Sequence, residues 1–125
     1  MTKIVLDVGN CGPDHTAITR MIKNHFDAQV LEADHGPAAL DVLRSQAIDL
    51  VLVNRKLDCD YSDGLDLIKS IRREPSLYDV PVMLITNYPE HQRQAVAAGA
   101  VWGFGKLALN DAATFENLRQ YLAAN

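Results

Sequence analysis

The run Leu50-Val51-Leu52-Val53 constrains the fold more than any other stretch of this chain. Four consecutive aliphatic residues leave no polar face, so a strand built from them must be covered on both sides. Short apolar runs recur at residues 4–6, 29–33, 81–86 and 101–104, each followed by a segment with apolar residues at helical spacing. Gly12-Pro13-Asp14 opens the first helix, which carries Ile18, Met21, Ile22 and Phe26 on one face, and Pro13 suits its first turn. His35-Gly36-Pro37 opens a second with Ala39, Leu40 and Leu43 inward, and Gly64 leads into a third with Leu65, Leu67, Ile68 and Ile71. Pro89 starts a fourth that runs to residue 98 and is capped by Gly99, and a fifth covers residues 111–123. This alternation predicts an α/β fold: a (βα)5, three-layer, doubly wound sheet of five parallel strands with right-handed crossovers. One domain accounts for residues 1–125. Ligands in such sheets lie at the carboxyl ends of the strands, so the informative loops are 7–13, 54–63, 86–89 and 104–110.

Composition removes several function classes. A hydrophobic content of 48% with 22% charged residues fits a packed core rather than a disordered chain. The net charge is −4 and the one basic cluster is Lys69, Arg72 and Arg73, which argues against nucleic acid. No apolar run approaches the ~20 residues of a membrane span. Met1-Thr2-Lys3 leads directly into Ile4-Val5-Leu6 without signal-peptide architecture, so a cytoplasmic location is expected. Cys11 and Cys59 fall in loops at one end of the sheet and read as free thiols, with no zinc spacing. His15, His25, His35 and His91 lie on separate stretches and read as solvated or core-edge residues. Asp58, Asp60 and Asp63 begin like a calcium loop, but Gly64 and the downstream spacing do not fit one. Gly9-Asn10-Cys11-Gly12 before a helix is similar to an anion loop, without the lysine of a Walker motif.

A series of motifs falls at the informative loops: Asp49-Leu50-Val51-Leu52-Val53-Asn54, Asp63-Gly64-Leu65 followed by Ile71-Arg72, Pro81-Val82-Met83-Leu84-Ile85-Thr86, Ala98-Gly99-Ala100, and Lys106 after the last strand. In this order and spacing the chain resembles the receiver domains of bacterial two-component response regulators. The resemblance implies the flavodoxin-like strand order 2-1-3-4-5. It also implies phosphoryl transfer to an aspartate at the end of the third strand. An acidic pair after the first strand would hold magnesium there, and a Thr and a Lys would bind the phosphoryl oxygens, as the charge build-up of such transfers requires.

Carried onto this chain, the acceptor position holds Asn54, whose amide has no anionic oxygen to act as nucleophile. The acidic-pair positions hold Gly9 and Asn10, and a shifted register brings in Asp7 as a single carboxylate. Thr86 and Lys106 retain the phosphoryl-contact positions. Gly103 stands at the switch-aromatic position between Trp102 and Phe104, which replace the ring only if the strand bulges. Leu107 follows Lys106 where the family has a cis-proline, so a trans peptide and an altered loop are expected. Asn87 takes the place of a small residue and is expected to crowd the approach to the acceptor.

The expectation is therefore an atypical, stand-alone receiver, ending at Asn125 without an output domain. It is not an enzyme, holds no metal or cofactor (magnesium binding poorly), and acts on a protein partner or by self-association without aspartyl phosphorylation. The expected contact surface carries Tyr88, His91, Gln92, Ala95 and residues near Asn110. Thr86 is expected to cap the strand end and Lys106 to pair with Asp7 or Asn54. One alternative is a small-ligand or anion sensor using Thr86, Lys106 and the loop 9–12. Another is an active phosphoacceptor using Asp58 or Asp60.

Overall fold

Five parallel strands carry the fold: β1 (Lys3–Val8), β2 (Ala28–Ala33), β3 (Leu50–Asn54), β4 (Val82–Ile85) and β5 (Val101–Phe104). They are seen in a computed structural model that describes residues 2–123. The helices are α1 (Gly12–His25), α2 (Gly36–Ser45), α3 (Gly64–Arg72), α4 (Pro89–Ala97) and α5 (Ala112–Leu122), with 3-10 turns at Pro75–Leu77 and Lys106–Ala108. The sheet order is β2-β1-β3-β4-β5, as expected for a doubly wound fold.

Alternation along the strands divides the core in two. Val5, Leu50, Leu52, Met83, Ile85 and Phe104 pack with Ile18, Ile22 and Leu118 of α1 and α5. Leu6, Val8, Val51, Val53, Val82 and Leu84 pack with Leu43, Ile68, Ile71 and Ala95 on the other face. The fully apolar run Leu50–Val53 serves both layers, and each of its residues is completely buried. Asp7 pairs in register with Leu52, so Asp7 and Asn54 follow the same alternation, toward α1 and α5.

The structure adds detail to the sequence reading in one loop and one strand. The segment 54–63 is not a plain polar loop: Leu57 is 1% exposed and packs into the core. Leu57 N donates to Ser62 O, Tyr61 N donates to Leu57 O, and Lys56 bridges Asp63 in an antiparallel pair, with Tyr61 at φ 57°. At the other end of the sheet the β4–β5 register shifts: Met83 pairs with Val101 but Ile85 with Phe104, which places one extra residue on β5. A Cβ on Gly103 would meet Leu84 O at 2.4 Å, so the strand closes on β4 only with glycine there. Phe104 turns into the core while Trp102 stays about half exposed.

Gln92 and Ala95, expected on a contact surface, are instead buried. Ala95 packs against the sheet, and the Gln92 carboxamide is used inside the protein. Its Nε2 donates to Leu84 O at 3.0 Å and its Oε1 accepts from Gly103 N at 2.8 Å. The bulge interrupts the β4–β5 ladder, and this side chain satisfies the backbone groups there. The large hydrophobic side chains exposed in this region are Tyr88, Val96, Trp102 and Leu107.

Candidate functional site

Asn54 ends β3, and its position follows from the ladder that buries Leu50–Val53 beneath it. Its Nδ2 donates to Lys56 O at 2.7 Å and reaches Gly9 O at 3.4 Å. Both acceptors belong to loops at the C-terminal edge of the sheet, so the amide ties the β1–α1 turn to the β3–α3 loop. An aspartate could not donate either bond. Asn54 also lines a pocket of about 190 Å³ together with Arg55, Thr86, His91 and Lys106.

Thr86 lies just beyond β4 and is nearly buried. Its Oγ1 accepts from Tyr88 N at 3.3 Å and lies 3.2 Å from His91 Nδ1, so it caps the turn into α4 as expected of a strand-end threonine. Lys106 does not pair with Asp7 or Asn54. Its Nζ donates to Asp14 Oδ2 at 2.7 Å, joining the start of α1 to the loop after β5. That bond, with help from the Cys11 thiol, holds the Asp14 carboxyl below its ordinary range. Arg55 is paired as well, with Asp63 at 2.8 Å. Asn87 lines the same pocket as Asn54, Thr86 and Lys106, and its Oδ1 accepts from Leu107 N at 3.0 Å, shaping the loop after Lys106. No peptide bond is cis among the described residues, and Leu107 projects into solvent at 87% exposure.

On the β1 side the structure brings together Asp7, Asn10 and His15. Gly9 turns the chain at φ +76°, and a Cβ there would lie 2.3 Å from Leu57 Cδ2, so no side chain fits at this position without moving Leu57. Asn10 folds back so that its Nδ2 donates to Asp7 Oδ1. His15, one turn into α1, places Nδ1 2.7 Å from Asp7 Oδ2 and 3.7 Å from Glu32 Oε2. Asp7 is 1% exposed, and burial pushes its carboxyl up despite the hydrogen bonds from His15 and Asn10. Among the described residues, no group of three or more His, Cys, Asp or Glu side chains is placed to hold a metal ion.

The remaining candidates have local structural duties. His35 Nδ1 accepts from Ala38 N at the start of α2, and His25 bonds Met21 O and stacks on Phe115. Asp63 caps α3 through Leu65 N, and Asp60 accepts from the backbone and hydroxyl of Ser62. Asp60 faces the groove between α2 and α3 and not the pocket that holds Thr86 and Lys106. Cys59 donates to Asp34 O, and its thiol is pushed up by desolvation and by Asp60, Asp34 and Asp58, the reverse of a reactive thiolate. Sequence reasoning missed three partners: His15 for Asp7, Asp14 for Lys106, and Gln92 for the bulge. A polar residue recurring at a core position of α4 was the one available signal, and it belonged to Gln92.

A doubly wound sheet with a polar pocket at the C-terminal ends of β3, β4 and β5 defines a class of α/β proteins that bind or carry signals at that edge. Within that class the chain belongs to the response regulator receiver domain family, whose sequence model matches residues 13–106. It is a receiver domain of two-component signalling. Helicobacter pylori chemotaxis protein CheY1 is 32% identical over 77 residues, which cover 58% of this chain and 61% of that relative's length. The signal receiver domain of a DNA-binding response regulator from Colwellia psychrerythraea superposes with a TM-score of 0.80 at 22% identity, covering 94% of this chain and 96% of that one. A response regulator from Thermotoga maritima gives 0.78 at 24%, covering 99% and 100%. At these identities the structures establish the shared fold. Among the described residues no helix is long and apolar enough to cross a membrane.

Proposed function

We propose that this receiver transmits its signal in the cytoplasm through contact with a protein partner, or through self-association, without aspartyl phosphorylation. The observation that carries the reading is Asn54 at the end of β3, the degenerate acceptor position, with its Nδ2 donating to Lys56 O. An amide lacks the anionic oxygen that attacks phosphorus, and here it also serves as a donor that fixes two loops. The groups that would meet a phosphoryl oxygen are already occupied: Thr86 caps the turn into α4 and Lys106 holds Asp14. Signalling then depends on exposed side chains, of which Tyr88, Trp102 and Leu107 lie near the ends of β4 and β5. In this reading no cofactor takes part and nucleic acid is not the partner.

A second reading has one observation in its favour. The pocket of about 190 Å³ is lined by Arg55, His91 and Lys106, groups that would suit a small anion. Such a ligand must compete with Asp63 for Arg55 and with Asp14 for Lys106. The test of the main reading is intact-mass analysis after incubation with acetyl phosphate and magnesium. Unmodified protein is expected. A phosphoryl adduct mapped to Asp58 or Asp60 would replace this reading by one with a displaced acceptor.

A further inference from the structure

The resemblance to receivers implies a divalent cation beside the acceptor, and the β1 side of this site does not fit one. Asp7 is the carboxylate on the relevant face, and both of its oxygens are taken: Oδ1 by Asn10 Nδ2 and Oδ2 by His15 Nδ1 at 2.7 Å. A magnesium-sized ion needs near-octahedral oxygen ligands at about 2.0–2.1 Å, so it could reach an oxygen of Asp7 only by displacing one of these donors. Asp7 is 1% exposed, which leaves its remaining lone pairs turned away from solvent. Asn10 shows how firmly the carboxylate sets the arrangement. Its own Oδ1 is buried without a partner, and the opposite amide orientation would set that oxygen against Asp7 Oδ1. An orphaned buried acceptor is costly, so the bond to Asp7 must outweigh it.

We propose that His15 is a positioning residue that closes Asp7 to divalent cations, its imidazole standing where the fold would otherwise admit a metal ion. The geometry suits that task. His15 sits one turn into α1, where the helix fixes its backbone, and its Nε2 lies 3.5 Å from Thr19 Oγ1, so both ring nitrogens have neighbours. Glu32, at 3.7 Å from Nδ1, supplies a second carboxylate that favours the ring remaining in place. The closure is independent of what occupies position 54, so it can hold even if the reading of Asn54 fails.

The probe is Mn2+ alone, followed by the paramagnetic resonance signal of the free ion, with the intact chain near neutral pH. Wild type is expected to show no saturable site. His15→Ala, which keeps a good helix former in α1, is expected to gain a single site, and the double variant with Asp7→Asn to lose it again. Loss of one charge-assisted hydrogen bond predicts a gain in affinity of roughly tenfold to hundredfold. His15→Gln, whose amide can still donate to Asp7, is expected to behave as wild type. Circular dichroism verifies that each variant is folded. A wild-type Mn2+ site that depends on Asp7 would overturn the proposal, as would a folded His15→Ala that gains nothing. A wild-type site lost in His15→Ala would overturn it too, by making His15 a ligand.

Discussion

The two rims of the strand-end site are built on opposite terms. On the β1 rim Asp7 and Asn10 are 1% and 6% exposed, and the carboxylate is held by donors from the chain itself. On the β4–β5 rim Tyr88, Trp102 and Leu107 are 61%, 48% and 87% exposed, and the polar groups beneath them maintain a bulge and two turns. The β1 rim is closed by the chain's own donors, and the β4–β5 rim is open. The two rims depend on different residues. Asn54 and His15 set one, and Gln92, Gly103 and Asn87 set the other.

The largest expected effect falls on the open rim. Gln92→Ala removes a buried amide that answers Leu84 O and Gly103 N, leaving a cavity and unpaired backbone groups. A loss of about 2–3 kcal/mol is expected from the denaturant midpoint, with faster amide exchange at Gly103 and little change around Asp7. Equal loosening at both rims would break the distinction between them.

A smaller effect of opposite sign is expected on the sealed rim. Burial raises the Asp7 carboxyl above its unfolded value, so the folded protein holds this proton more tightly than the unfolded chain. The stabilisation from that proton is present below the ordinary carboxylate range and lost as pH rises through the folded value. Asp7→Asn keeps an acceptor for Asn10 and a group that can bond His15. It should therefore be more stable than wild type at neutral pH by about 1 kcal/mol. The advantage should fade on acidification, as thermal midpoints across pH will show. A variant that is less stable at neutral pH would mean that the ion pair outweighs desolvation.

The smallest effect joins the rims. Lys106 and Asp14 are each about one-third exposed, and solvent screens their attraction. Lys106→Ala should cost no more than about 1 kcal/mol in the thermal or denaturant midpoint, shrinking with added salt.

Much of this fold is legible in the sequence, because the apolar runs of β1, β3 and β4 report burial on both sheet faces without any knowledge of partners. The cap at Thr86 is legible too, since its partner is two residues away. The site's other contacts are not, because they are made by the crossovers. Lys106 and Asp14 are 92 positions apart, and His15 reaches Asp7 only once α1 has folded back over β1. Leu57 looks like one apolar residue in a polar loop until Gly9 turns beneath it. The bulge at Gly103 was visible as a condition for Trp102 or Phe104 to replace the missing ring, but Gln92 as the group that completes it was not.

The central claim is that the sealed rim does not drive the open one through phosphorylation. Two-dimensional amide spectra of the wild-type protein, recorded before and after addition of acetyl phosphate with magnesium, test it directly. The account predicts that Asn54, Asn87, Gly103 and Leu107 keep their shifts within the change caused by salt alone. Concerted movement of these four resonances, reversed as the phosphodonor is consumed, would show a working phosphorylation switch and contradict it.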